Sequence, residues 1–162
     1  MSDNMKFALE FERNGAKFYI DMGIEAGNIL TKKLFYTLAR QEIEHLEAIE
    51  KFLADGNYEK QEGSKEVEQE IKNFMKDLTD ERKIETQLQV YEMALDMEKK
   101  GYIQYEKFYK EAKDEKKKEF FKFLMNEEKK HIDAIVNVYS YISNTEDWLQ
   151  REESNVWNWM NL

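Results

Sequence analysis

Displaced by 86 residues, the chain lies over itself without a gap, and this self-similarity narrows the folds open to it. "ALEFERNGAKFY" at 8–19 covers "ALDMEKKGYIQY" at 94–105, and "LARQEIEHLEAI" at 38–49 covers "LMNEEKKHIDAI" at 124–135. Identities include Ala8, Glu12, Gly15, Tyr19, Phe35, Leu38, Glu42, His45 and Ile49, matched by Ala94, Glu98, Gly101, Tyr105, Phe121, Leu124, Glu128, His131 and Ile135. The shared positions recur at intervals of three and four, which is the period of one helix face. Two copies of one amphipathic helical pair, packed face to face, make a four-helix bundle with a pseudo-twofold axis.

The rest of the chain agrees with long helices. There is no proline and there are only six glycines in 162 residues, so interruptions are few. Helices are expected over about 4–26, 31–54, 84–113 and 115–142, with Asp114 capping the last. "ADGNYEKQEGS" at 54–64 is the clearest loop. It opens a long crossover between the second and third helices that carries a short amphipathic segment at 65–80. After "SNTED", a short C-terminal helix at about 145–160 holds Trp148, Trp157 and Trp159. The expected architecture is all-α: a single domain over 1–162, with the bundle at about 4–142 and a helical tail.

Composition removes several chemistries. With no cysteine there can be no disulfide, zinc ribbon or thiolate-held iron–sulfur centre, and the chain suits a cytoplasmic setting. A net charge of −9 disfavours nucleic acid and anionic membrane as partners. No apolar run reaches the roughly 18 residues of a membrane span, and "MSDNMKFALE" lacks the basic and apolar regions of a secretion signal.

Three polar residues in each half occupy the apolar stripe: Glu12, Glu42 and His45, then Glu98, Glu128 and His131. The only two histidines of the protein are among them. Glu and His at i and i+3 stand one turn apart on the same face. A lone carboxylate in an apolar interior costs several kcal/mol or becomes protonated, and four together repel one another. Two divalent cations would balance four carboxylates. Oxygen-rich ligands with one imidazole per metal suit iron, with manganese or a mixed pair as alternatives. A single Glu-x-x-His on a charged helix is ordinarily a surface ion pair; the duplication on apolar stripes is what favours ligation. Glu10, Glu44, Glu47, Asp96 and Glu127 fall off the stripes and are read as solvated. Tyr19 and Tyr105, two turns past Glu12 and Glu98, are either core tyrosines or hydrogen-bond donors to ligating carboxylates.

At these residues the sequence resembles the rubrerythrin branch of the ferritin-like di-iron carboxylate proteins, over about residues 5–142. The resemblance implies that Glu12, Glu42, Glu98 and Glu128 are carboxylate ligands and that His45 and His131 are terminal imidazoles. It also implies that Tyr19 hydrogen-bonds a ligand, with Tyr105 a less close match. Two departures stand out. Rubrerythrins proper carry a C-terminal rubredoxin domain with a four-cysteine iron centre, so electrons here must come from a separate donor. They also carry a further glutamate one turn after the third-helix ligand, and Gly101 holds that position here, with Gly15 as its mate in the first helix.

The function expected is that of a rubrerythrin-like di-iron oxidoreductase, reducing hydrogen peroxide or dioxygen and working as a homodimer. One alternative is a ferroxidase that handles iron in the manner of ferritin. Another is a non-catalytic helical module around a structural metal.

Overall fold

The computed structural model describes residues 2–27, 29–58 and 88–143. Four helices fill them: α1 (Asp3–Glu25), α2 (Ile29–Asp55), α3 (Leu88–Glu111) and α4 (Glu115–Ser143). The internal repeat extends to the helix boundaries. α1 ends at Glu25 and α3 at Glu111; α2 begins at Ile29 and α4 at Glu115; both pairs of residues are one repeat apart. α2 starts slightly earlier than its sequence signals suggested, and α3 stops short of Lys113. The short segment at 65–80, the crossover, the start of the third helix at 84–87 and the tail with Trp148, Trp157 and Trp159 lie outside the described residues.

Local chemistry accounts for the helix ends. The Lys117 backbone N–H donates to Asp114 Oδ1 at 2.9 Å, so Asp114 caps α4 as its sequence position suggested. α2 closes on Gly56 at φ +72°, whose N–H donates to the Phe52 carbonyl at 2.9 Å. That left-handed backbone is costly for any residue with a side chain. On the solvent faces, Lys17–Asp21 at 2.8 Å and Lys100–Asp96 at 2.7 Å are exposed i,i+4 pairs, contributing a few tenths of a kcal/mol each.

Contacts between helices set the topology. Gly15 faces Glu42 and Gly23 faces Tyr36, so α1 and α2 are antiparallel. The Tyr19 hydroxyl donates to Glu98 and that of Tyr105 donates to Glu12, so α1 and α3 are antiparallel too. Phe52 stacks on Phe120 at 4.3 Å while Gln41 meets His131, making α2 antiparallel to α4. Thr31 bonds Tyr91 and Glu42 lies near Glu98, so α2 and α3 run parallel and the chain re-enters the bundle at the opposite end. This is the up-down arrangement with one crossover that the sequence implied.

The interior has two apolar clusters with a charged layer between them. One gathers Tyr19, Leu34, Phe35, Leu38, Tyr91, Ala94, Ile135 and Val138. The other gathers Tyr105, Phe120, Phe121, Leu124, Met5, Ala8, Ile49 and Phe52. Each of these eight residues of the first has its repeat mate among the eight of the second, so the pseudo-twofold axis exchanges the hearts of the two clusters and passes through the layer that separates them. Burying an aliphatic or aromatic side chain stabilises by about 1.5–3 kcal/mol, and these two clusters offset the cost of what lies in the middle. No helix among the described residues is long and apolar enough to cross a membrane.

Candidate metal centre

The middle layer holds all six of the polar residues singled out above. Glu12 comes from α1, Glu42 and His45 from α2, Glu98 from α3, and Glu128 and His131 from α4. Four of them are fully inaccessible to solvent, and Glu42 and His45 are at 1% and 4%. They form two groups within ligand-sharing distance: Glu12, Glu42, His45 and Glu128, and Glu42, Glu98 and His131. His45 Nδ1 lies 3.0 Å from Glu12 Oε2 and 3.5 Å from Glu42 Oε2. His131 Nδ1 lies 3.3 Å from Glu42 Oε1 and 3.4 Å from Glu98 Oε1. Glu42 therefore turns one oxygen to each imidazole, the posture of a carboxylate that spans two positions. The rings themselves stack at 5.3 Å.

Protons alone balance these charges at a cost. Burial, reinforced by the charge of Glu42, pushes Glu12 up to about 8. Burial and the charges of Glu12, Glu98 and Glu42 push Glu128 well above the carboxylate range. Burial works against ionising Glu42 and Glu98 as well, yet the neighbouring Glu12 and the two imidazoles beside it hold Glu42 low, and the His131 charge holds Glu98 low. Burial would lower both imidazoles; Glu12 beside His45 and Glu98 beside His131 reverse this, raising His45 well above its ordinary value and His131 to about 10. Two carboxylates, two carboxylic acids and two imidazoliums sum to zero.

Even so, hydrogen bonding is incomplete. Glu42 Oε2, Glu98 Oε2, both oxygens of Glu128 and His131 Nδ1 are buried with no hydrogen-bond partner. A buried polar atom left unpaired costs about 1–3 kcal/mol, and five of them lie in this one layer. The donor set of carboxylate oxygens and imidazole nitrogens is that of a hard or borderline divalent cation. The residues fit a metal centre.

A family model described as Rubrerythrin matches residues 3–139. The chain belongs to the rubrerythrin family. Searches of curated proteins and of solved structures each returned no match. Membership makes iron the expected metal of this rubrerythrin-family centre, in agreement with the donor set.

Tyr19 and Tyr105 act across the bundle. Each hydroxyl donates to the glutamate of the other helical hairpin, Tyr19 to Glu98 Oε1 and Tyr105 to Glu12 Oε1. Burial pushes both phenols well above their ordinary value, so they remain donors. The two pairs exchange under the repeat.

One residue departs from the sequence reading. Glu127, read as solvated, is 7% exposed. Its Oε2 lies 3.8 Å from His45 Nε2, and its Oε1 accepts from Lys130 Nζ at 2.6 Å. Burial opposes its ionisation, but His45 and Lys130 draw it down to about 2. A residue next to an inward ligand points to the flank of the stripe, where the neighbouring hairpin covers it. Gln41 was also missed; it is buried, with Oε1 2.8 Å from His131 Nε2. The available signal was positional, since each directly precedes a Glu-x-x-His. Glu10, Glu47 and Asp96 are exposed as expected, and Glu44 is half-buried.

The two glycines make room for the carboxylates of the site. A Cβ on Gly101 would stand 2.5 Å from Glu128 Oε2 and 2.5 Å from the Phe11 ring; one on Gly15 would stand 3.2 Å from the Glu42 carboxyl carbon. Mid-helix, Gly→Ala ordinarily stabilises by about 1 kcal/mol. Gly101→Ala is expected to reverse that sign and destabilise by about 1–3 kcal/mol through overpacking, whereas Gly15→Ala should be close to neutral. Thermal unfolding of the two variants side by side checks this.

Proposed function

We propose that this chain is a di-iron oxidoreductase that reduces hydrogen peroxide or dioxygen and receives its electrons from a separate donor. The observation that carries the reading is the convergence of four carboxylates and two imidazoles, buried, related by the internal repeat and left with unspent lone pairs. Glu12 with His45 would hold one iron and Glu98 with His131 the other, with Glu42 and Glu128 between them. Bound ferrous iron would supply, one electron per ion, the pair that converts hydrogen peroxide and two protons into two waters.

The chain's own residues prepare that chemistry. The apolar clusters on either side exclude bulk water, which strengthens every charge interaction within the layer. Tyr19 and Tyr105 fix Glu98 and Glu12 by hydrogen bonds, and Gly15 and Gly101 leave Glu42 and Glu128 space to shift as the charge on the site changes. These 162 residues contain no cysteine and so no thiolate-held iron centre, and a separate donor is the source of electrons we assign. A homodimer is the assembly we assign to this role.

Anaerobic loading with ferrous iron, followed by peroxide and dioxygen in separate experiments, tests the reading. Two irons per chain and a ferric absorption band that develops fastest with peroxide are expected. Sustained turnover of excess ferrous iron by a large hollow particle would instead mark an iron-storage ferroxidase. Failure to bind iron would remove the proposal.

A further inference from the structure

The internal repeat relates every element of the site to a mate, and at one place the mates differ in charge. Each imidazole turns Nδ1 inward and Nε2 outward. His131 Nε2 meets Gln41 Oε1 at 2.8 Å, while His45 Nε2 faces Glu127 Oε2 at 3.8 Å. Gln41 and Glu127 are repeat mates, so a neutral amide occupies one half where a carboxylate occupies the other. The next residue on the same helix face follows suit. Lys130 anchors Glu127 at 2.6 Å, and its mate is Glu44, which could only repel a carboxylate at position 41. The two halves therefore differ at both positions in a way that lets only one of them hold a carboxylate beside its imidazole.

We propose that Glu127 and Lys130 make the two metal positions unequal, so that the ion beside His45 is bound more tightly than the ion beside His131. The inference rests on the reading of the six buried residues as metal-holding. An imidazole whose outer N–H faces a carboxylate is a stronger donor to a metal than one whose outer N–H faces an amide, and its ring orientation is held by charge. Changing such an outer partner typically alters metal affinity by roughly ten- to a hundredfold. For iron, the stronger donor also favours the ferric state, so the His45 side would be oxidised first. Glu127 and Lys130 act through His45 and are positioning residues.

Anaerobic titration with cobalt(II), followed by visible absorption and calorimetry, gives the test. The parent chain is expected to bind two ions in resolved steps. Glu127→Gln keeps the shape and removes the charge. It should weaken the tighter step by roughly ten- to a hundredfold and shift its cobalt spectrum, drawing the two steps together. The double variant Gln41→Glu/Glu44→Lys transplants the charged pair and should tighten the weaker step instead, a gain that a purely structural role of Gln41 would not produce. Should the transplant fail to fold, as circular dichroism would show, the response of Glu127→Gln decides alone. Repulsion between neighbouring cations also separates two steps, but then Glu127→Gln would leave the spacing unchanged, and that result overturns the inference. A parent chain that binds no cobalt overturns both this inference and the metal-holding reading beneath it; two ions with a spacing indifferent to Glu127 overturn this inference alone.

Discussion

Glu128→Met is expected to yield a protein that, stripped of metal, is more stable than the parent and yet binds at most one divalent ion. Glu128 is fully buried, and neither of its oxygens has a hydrogen-bond partner. In the metal-free protein it contributes only the cost of burying a polar group and of crowding three other carboxylates. An apolar side chain of similar shape removes the cost of a buried polar group left without a partner, about 1–3 kcal/mol. At this chain length each kcal/mol moves the midpoint by about 2–4 °C. The same substitution removes the one carboxylate that faces the centre with both oxygens unspent. Thermal unfolding in chelator and metal analysis after reconstitution should thus move in opposite directions, while exposed Glu47→Ala moves neither. A variant that kept both metals would place the centre elsewhere.

The second expectation concerns protons. Near neutral pH the six residues hold four that a pair of divalent ions must displace: those on Glu12 and Glu128 and those on His45 and His131, all raised from their ordinary values. Loading at pH 7 should release about four protons per chain, measurable by titration in weak buffer or by calorimetry in buffers of different ionisation heat. Affinity should collapse as the pH falls towards 5. The sign for the metal-free fold is the reverse. Glu12 is raised from 4.5 to about 8 and His131 from 6.5 to about 10, so the stability they lend is complete at low pH. It is lost as the pH rises through those folded values. Metal-free protein should therefore weaken from pH 7 to 10, and loaded protein should not. Release of one proton or none would mean that the carboxylates and imidazoles carry other charges than those described.

The architecture was readable because two signals coincide in the same residues. Phe35, Leu38, Glu42, His45, Ile49 and Phe52 follow the helical period, and all six are buried. The repeat then shows that the polar members of that stripe are paired, which no count of hydrophobicity would reveal. Periodicity is blind one residue to either side, and that is where Gln41 and Glu127 lie. Whether a flanking residue is buried depends on how closely the other hairpin approaches, which spacing along one helix does not reveal. Nor could spacing along one helix tell which glutamate each tyrosine would reach. Tyr19 and Glu12 share a face of α1, but the hydroxyl crosses to Glu98 on α3, a partner fixed only by the antiparallel packing of the two helices.

That crossing ties the two hairpins to each other at the level of the site. Tyr19 and Glu12 each bind a residue of the opposite hairpin, as does Gln41, so neither hairpin can complete even half of the site by itself. An ion held there would act as a rivet through a seam, joining side chains of both hairpins. Its exchange with the surroundings would then be paced by the breathing of the bundle rather than by the strength of whatever waits outside to take it.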